Sequence, residues 1–64
     1  MLQDKNGHSL TAGVLVEVPD PLPGDLWNHS FQGYTHTHKG SIVCVIDQDD
    51  NAWDIEANRL TILE

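Results

Sequence analysis

The stretch FQGYTHTHKGSIVCVI, residues 31–46, has the pattern of two β-strands joined by a tight turn. Its first half alternates between two faces, one carrying Phe31, Gly33, Thr35 and Thr37 and the other carrying Gln32, Tyr34, His36 and His38. Lys39-Gly40 is a typical turn pair, and residues 41–46 are almost continuously apolar. We therefore expect a β-hairpin whose second strand is central in a sheet and covered on both faces.

A short strand and a long loop precede this hairpin. In residues 14–18, three valines at alternate positions share one face, and Pro19 ends the strand because proline cannot donate to a continuing ladder. Residues 19–30 hold three prolines and Gly24, which predict a long loop. We expect three of its side chains to fold back over one end of the core: Leu22, Leu26 and Trp27.

Two further strands follow the hairpin. The acidic turn, residues 47–51, leads into residues 52–56, where Trp53 and Ile55 share a face opposite two carboxylates. Residues 56–59 are too few for a strand and suit one 3₁₀ turn, and residues 60–63 form the last strand. No long window keeps a helical apolar period. The sequence thus predicts an all-β chain of five strands.

This order resembles the SH3-like barrel family, and within it the small translation-type, or KOW-like, barrels. The resemblance covers residues 10–63 and is carried by residues 13–18, 31–35 and 41–47 and by Asn58-Arg59-Leu60 before the last strand. It implies a five-stranded SH3-like barrel with a long first loop and a short 3₁₀ turn before the last strand. Residues 1–64 would form a single domain, with residues 1–9 as an N-terminal arm or turn.

The same resemblance leaves function open, since SH3-like barrels serve in nucleic-acid binding, peptide binding and assembly. This chain departs from the family at Thr35 and Thr37, which stand where valine-like side chains are usual.

The net charge and the short length of the chain make some classes of function less favourable than others. The chain has ten acidic and three basic residues, which gives a net charge of −7. The basic residues, Lys5, Lys39 and Arg59, are far apart in the sequence. Because phosphate-backbone binding needs clustered basic side chains, nucleic acid is an unfavourable partner. Solubility accounts for the acidity, and a basic protein partner or mimicry of nucleic acid are the sharper alternatives. A barrel of 64 residues is filled by its own side chains, so an enzyme is not expected.

The single cysteine, Cys44, excludes an intramolecular disulfide. With neither a signal-peptide pattern nor a membrane-length apolar run, the sequence predicts a cytoplasmic protein. Between Val43 and Val45, Cys44 has the character of a small buried hydrophobe. A nucleophilic role would require His36 or His38 beside it as a base.

Two stretches suggest metal binding. His36 and His38 lie two residues apart on a strand, and such a pair can share one zinc if His8, His29, Cys44 or a carboxylate completes the site. A solvent-facing histidine pair is the preferred interpretation, and no cofactor is expected. The acidic turn begins like an EF-hand loop, but Ala52 replaces the required glycine and Asn58 the required glutamate. It is therefore interpreted as a hairpin turn.

The expected function is a non-enzymatic protein-interaction module. Its partner would be a protein of basic character or a second copy of the chain. The candidate binding surface consists of Trp27, Tyr34, His36, His38, Asp49 and Asp50. Three alternatives remain: an inhibitor that mimics nucleic acid, an accessory protein of a bacterium or phage, and a KOW-like nucleic-acid-binding barrel, which the charge disfavours.

Overall fold

The computed structural model describes residues 2–63 and shows an all-β chain. The elements are β1 Leu15–Val18, β2 Phe31–Lys39, β3 Ile42–Asp47, β4 Ala52–Glu56, a 3₁₀ turn at Ala57–Arg59, and β5 Thr61–Ile62. The predicted number and order of strands are confirmed, and no strand boundary is shifted by more than one residue. None of the described residues forms a helix long and apolar enough to cross a membrane.

All five strands belong to one antiparallel sheet with the order β4-β3-β2-β1-β5. Strands β4 and β5 are its edges, and within residues 2–63 they do not pair with each other. The sheet is therefore open, so the expected closed barrel is found only as a five-stranded antiparallel sheet.

The core lies on one face of this sheet. Its buried side chains are Val16, Val18, Val43, Val45, Ile55, Ala57 and Leu60. Because β1 and β4 are separated by two strands and still share one apolar cluster, the sheet must curl around it. Burial of a side chain of this size contributes about 1.5–3 kcal/mol relative to exposure in water.

Two expectations about burial were wrong. Strand β3 is central, but Ile42, Cys44 and Ile46 are only half-buried, because only the opposite face of the sheet meets the core. In the long loop, Trp27 packs against the core, whereas Leu22 and Leu26 remain 60% and 89% exposed. Between these two leucines the loop makes a local turn, closed by a hydrogen bond from the Leu22 N–H to the Asp25 carboxylate.

The inward face of β2 is built around Thr35. This side chain is 5% exposed, and its hydroxyl accepts a hydrogen bond from Val14 N–H at 3.0 Å and donates one to the Thr11 carbonyl. A valine in this position would satisfy neither group. Thr35, which stands where a valine-like side chain is usual, therefore attaches residues 11–14 to the sheet through these two hydrogen bonds.

A β-bulge interrupts β2 directly after Thr35. Thr35 pairs with Val45 and His38 with Val43, so β2 holds one more residue than β3 in this interval. Bulges bend the strand and break its alternation. The predicted two-faced pattern therefore fails here, and His36, Thr37 and His38 are all exposed.

Residues 2–10 form an arm that covers the β5 edge. Lys5 N–H donates to the Leu60 carbonyl at 2.9 Å, and the Asp4 carboxylate accepts a hydrogen bond from Ile62 N–H at 3.1 Å. Asp4 is only 4% exposed, although it is an ionisable residue. The arm thereby bonds the outward-facing N–H of Ile62 and the carbonyl of Leu60 at this edge.

Candidate functional site

Two open grooves flank the acidic turn at residues 47–51. The first, here called the aromatic groove, has a volume of about 470 Å³ and runs between this turn and the long loop. The second, here called the Tyr34 groove, has a volume of about 720 Å³ and lies on the other side of the turn. Gln32, Asp47 and Gln48 line both grooves, so the two form one surface around the turn.

Three aromatic rings form the floor of the first groove. The Trp27 ring lies 6.4 Å from Phe31 and 6.4 Å from Trp53, both in edge-to-face contact, and Phe31 lies 5.7 Å from Trp53. These are the distances of aromatic rings in direct contact. The rings fill the space between one another, so they form a packed apolar floor rather than a cage around a ligand.

Contacts within the chain fix Trp27 at this floor. Its indole N–H donates to the Pro19 carbonyl at 3.0 Å, and the Arg59 guanidinium lies 5.1 Å from its ring centroid. Arg59 also donates to both oxygens of Asp25, at 3.3 and 3.0 Å. The long loop is therefore fastened to the 3₁₀ turn, and one face of Trp27 is already covered.

The Asp25 carboxylate is held ionised by this arrangement. Hydrogen bonds from Arg59 lower its pKa first, the Leu22 N–H lowers it further, and partial burial opposes them. At neutral pH, Asp25 is therefore a structural counter-ion of Arg59. It is not a proton donor.

Asp47 organises the acidic turn in a similar way. Its Oδ2 accepts a hydrogen bond from the Trp53 indole N–H at 2.8 Å, and its Oδ1 accepts from the backbone N–H groups of Asp49 and Asn51 at 2.8 and 2.9 Å. The indole contact is the main cause of the lowered pKa of Asp47. The carboxylate shapes a hairpin turn, as the sequence indicated, and Asp50 completes that turn with a φ of 64°.

The Tyr34 groove is centred on an apolar row that crosses the solvent-facing side of the sheet. Leu15, Tyr34, Ile46 and Ala52 stand in register on four neighbouring strands. Tyr34 is 57% exposed in the middle of this row. Such a row offers a partner an apolar contact area bounded by polar side chains.

The structure distributes the predicted binding residues around the acidic turn. Trp27 and Asp49 line the aromatic groove, and Tyr34, His36 and Asp50 line the Tyr34 groove. His38 lines neither groove, because it follows the bulge and lies toward the far end of β2. Five of the six residues are therefore adjacent to one continuous surface.

Metal coordination finds no support in the described part of the chain. Within residues 2–63, no three histidine, cysteine or acidic side chains are close enough together to hold an ion. Cys44 is a free, half-buried thiol opposite Asp54 on the neighbouring strand. The exposed His36 and His38 thus lack a third ligand in this structure.

No model of a known protein family, no curated protein sequence and no solved structure matches this chain.

Sequence reasoning missed several residues that shape this surface. Phe31 was assigned to a strand but not to the groove, and Asp25 with Arg59 was not foreseen because the two lie 34 residues apart. The spacing of Asp47 and Asn51 did carry a signal, since an aspartate often accepts hydrogen bonds from the backbone two to four residues later in a turn. The indole bond from Trp53 had no such local signature.

Proposed function

We propose that this chain is a small SH3-like barrel that acts as a non-enzymatic protein-interaction module and binds a protein of basic character around its acidic turn. One observation carries the proposal. Two large apolar side chains, Leu26 and Tyr34, are 89% and 57% exposed on opposite sides of the turn. Large exposed apolar side chains bordered by polar residues are typical of protein-binding sites.

The SH3-like assignment is supported by topology. The antiparallel order β4-β3-β2-β1-β5, the long loop between β1 and β2, and the single 3₁₀ turn before β5 all agree with that family's arrangement. The curl of the sheet around one apolar cluster agrees with it as well.

Electrostatics supports a basic partner. The side chains of Asp49 and Asp50 are exposed beside the grooves, and the chain as a whole carries a net charge of −7. A field of one sign accelerates the encounter with an oppositely charged surface and suppresses association with like-charged ones. The apolar side chains supply contact area, and the carboxylates orient the partner.

Two carboxylates near the grooves, Asp25 and Asp47, are engaged in structural contacts and are not suited to proton transfer. A general acid or base works best when its pKa lies near the operating pH. The pKa values of Asp25 and Asp47 are shifted downward, away from neutrality, by hydrogen bonds from Arg59 and Trp53. A cytoplasmic location belongs to the same proposal, and the free thiol of Cys44 is compatible with it.

The proposal is tested by affinity capture from the native host with matched variants. Wild-type protein and Leu22→Ser are compared with the double variant Leu26→Ser/Tyr34→Ser, because Leu22 is also exposed, at 60%, but lines neither groove. We expect one basic protein to be retained by wild type and Leu22→Ser, lost from the double variant, and released at raised ionic strength. Retention by the double variant contradicts the proposal, and displacement of the captured protein by DNA favours the nucleic-acid mimic.

A further inference from the structure

The two edges of the sheet differ in whether another part of the described chain covers them. At the β5 edge, the outward-facing Ile62 N–H is bonded to Asp4, and the Leu60 carbonyl is bonded to Lys5. At the other edge, β4 has β3 as its neighbour on one side and no strand of residues 2–63 on the other. Within residues 2–63, the arm thus covers the β5 edge, and no strand covers the β4 edge.

The direction of the β4 backbone groups follows from two hydrogen bonds. Ala57 N–H donates to the Ser41 carbonyl, and Asp47 N–H donates to the Asn51 carbonyl. In an antiparallel ladder, hydrogen-bonded pairs alternate with non-bonded ones. The backbone groups of Trp53 and Ile55 therefore face β3, and those of Ala52, Asp54 and Glu56 face outward from the edge.

The exposed side chains of β4 make this edge acidic. Trp53 and Ile55 point toward the core side, whereas Ala52, Asp54 and Glu56 are exposed. An added strand would place its own side chains directly opposite the two carboxylates. Lys39 lies two strands away across Ile42, and no ion pair joins it to Glu56 within the described chain.

We propose that β4 is a docking edge for an extended, cationic segment of a partner protein. That segment adds as a further strand, bonds to the outward backbone groups of Ala52, Asp54 and Glu56, and places basic side chains opposite Asp54 and Glu56. Charge complementarity favours this occupant. Asp54 and Glu56 lie two residues apart, so they would be opposite two residues of the added strand that are also two positions apart. The proposal concerns an edge separate from the Leu26 and Tyr34 contacts and stands without them.

A second copy of the chain fits this edge poorly. Antiparallel pairing of β4 with itself would bring Asp54 and Glu56 against the same carboxylates of the other copy. Like charges on directly opposed residues destabilise strand pairing, and natural sheets use charged edge residues to prevent such association. The carboxylates therefore reject another copy and accept a basic strand.

The first test uses a synthetic peptide, acetyl-Thr-Lys-Val-Lys-Val-Lys-Thr-amide, and residue-resolved amide hydrogen exchange. We expect the amides of Ala52, Asp54 and Glu56 to become protected when the peptide binds, while Trp53 and Ile55 stay as protected as before. A peptide of equal composition with its lysines contiguous, and one with glutamate in place of lysine, should bind at least about tenfold more weakly. Binding without protection of these three amides overturns the proposal.

Backbone N-methylation of the peptide separates strand addition from simple charge attraction. Methyl groups on the lysine nitrogens, which would face β4, should abolish binding, and methyl groups on the valine nitrogens should leave it intact. Equal binding of both methylated peptides contradicts the proposal. Self-association of the free protein at neutral pH, detected by sedimentation, would identify a second copy as the occupant and contradict it as well.

Variants of the protein complete the test. Asp54→Lys should weaken peptide binding by about threefold to tenfold. Glu17→Lys, a charge reversal at an exposed position on the interior strand β1, should leave binding unchanged. Leu26→Ser/Tyr34→Ser should also bind the peptide normally, so that failure at the grooves and failure at the edge are distinguishable.

Discussion

The carboxylate of Asp4 accepts a hydrogen bond from the backbone N–H of Ile62, 58 residues further along the chain, at 3.1 Å. The other carboxylate oxygen accepts hydrogen bonds from the N–H groups of Asn6 and His8, both at 2.9 Å. One side chain therefore shapes the turn of the N-terminal arm and attaches that arm to the last strand. The β5 edge is closed by this contact, and the β4 edge has no counterpart within residues 2–63.

Asp4→Asn should destabilise the fold although it hardly changes the shape of the side chain. An amide offers one acceptor oxygen, so its NH₂ group would face either Ile62 N–H or the two N–H groups of the arm. We expect a lower urea midpoint and faster amide exchange at Ile62. Asp20→Asn, an exposed aspartate whose hydrogen bond to Ser30 N–H an amide oxygen can also accept, is the control and should leave both unchanged. An unaltered midpoint in Asp4→Asn would show that the contact is dispensable.

The protein should lose stability in acid. Burial acts to raise the pKa of Asp4, but hydrogen bonds from Ile62, His8 and Asn6 and the nearby charge of His8 outweigh it and lower the pKa. Because the folded-state pKa lies below the unfolded value of about 3.9, the stabilisation is fully present above that value and is lost as the pH falls through the folded pKa. Urea unfolding followed from neutral pH down to strong acid measures this loss.

The pH dependence of the unfolding free energy should also distinguish the contribution of Asp4 from the contributions of Asp25 and Asp47. The pKa values of Asp25 and Asp47 are lowered as well, by Arg59 and by Trp53, so they add to the loss in the same direction. Asp4→Asn should therefore show a shallower decline below about pH 4 than wild type, without abolishing it. An identical decline in both proteins would mean that the Asp4 carboxylate does not have a lowered pKa.

The Thr35 hydroxyl should be needed for attachment of residues 11–14. Thr35→Val removes the acceptor of Val14 N–H and the donor to Thr11, which should cost about 1–3 kcal/mol of unfolding free energy. Thr35→Ser keeps the hydroxyl and should retain most of the stability. Thermal or urea unfolding of both variants decides the matter, and a valine variant as stable as wild type would contradict the assignment.

Gly33 should tolerate no side chain. A Cβ built there would lie 2.5 Å from the Ile46 carbonyl oxygen and 2.8 Å from Val45 Cγ1, so β2 or β3 would have to move. We expect Gly33→Ala to destabilise the protein by about 1–3 kcal/mol, as overpacking of a core does. Gln32→Ala, at the exposed neighbouring position, should stay within about 0.5 kcal/mol of wild type. Equal unfolding midpoints for the two variants would refute the close approach.

The sequence predicted the strands well because each is short, alternating and bounded by turn residues. Period two alone grouped Val16 with Val18 on one face and placed Ile55 opposite two carboxylates, and the structure shows that these faces meet the core. The 3₁₀ turn followed from the small number of residues available. Closure into a barrel could not be read from such patterns. It depends on whether the edge strands meet, and in this structure they do not.

The site was less predictable, since its geometry depends on contacts between distant residues. Alternation placed Tyr34, His36 and His38 on the exposed face, and all three are exposed. The same rule placed Thr37 on the opposite face, but Thr37 is exposed too, because the bulge adds a residue to β2. The burial of Asp4 had no sequence signal, since an acidic residue in an N-terminal arm is normally solvated. Hydrogen bonds from three backbone N–H groups are what make its burial tolerable.

Residue-resolved amide hydrogen exchange of the free protein shows directly whether one sheet edge is closed and the other open. We expect slow exchange at Ile62 and Lys5, whose N–H groups are bonded across the β5 edge. Along β4 we expect alternation, with slow exchange at Trp53 and Ile55 and fast exchange at Ala52, Asp54 and Glu56. Uniform protection along β4, or rapid exchange at Ile62, would contradict these expectations.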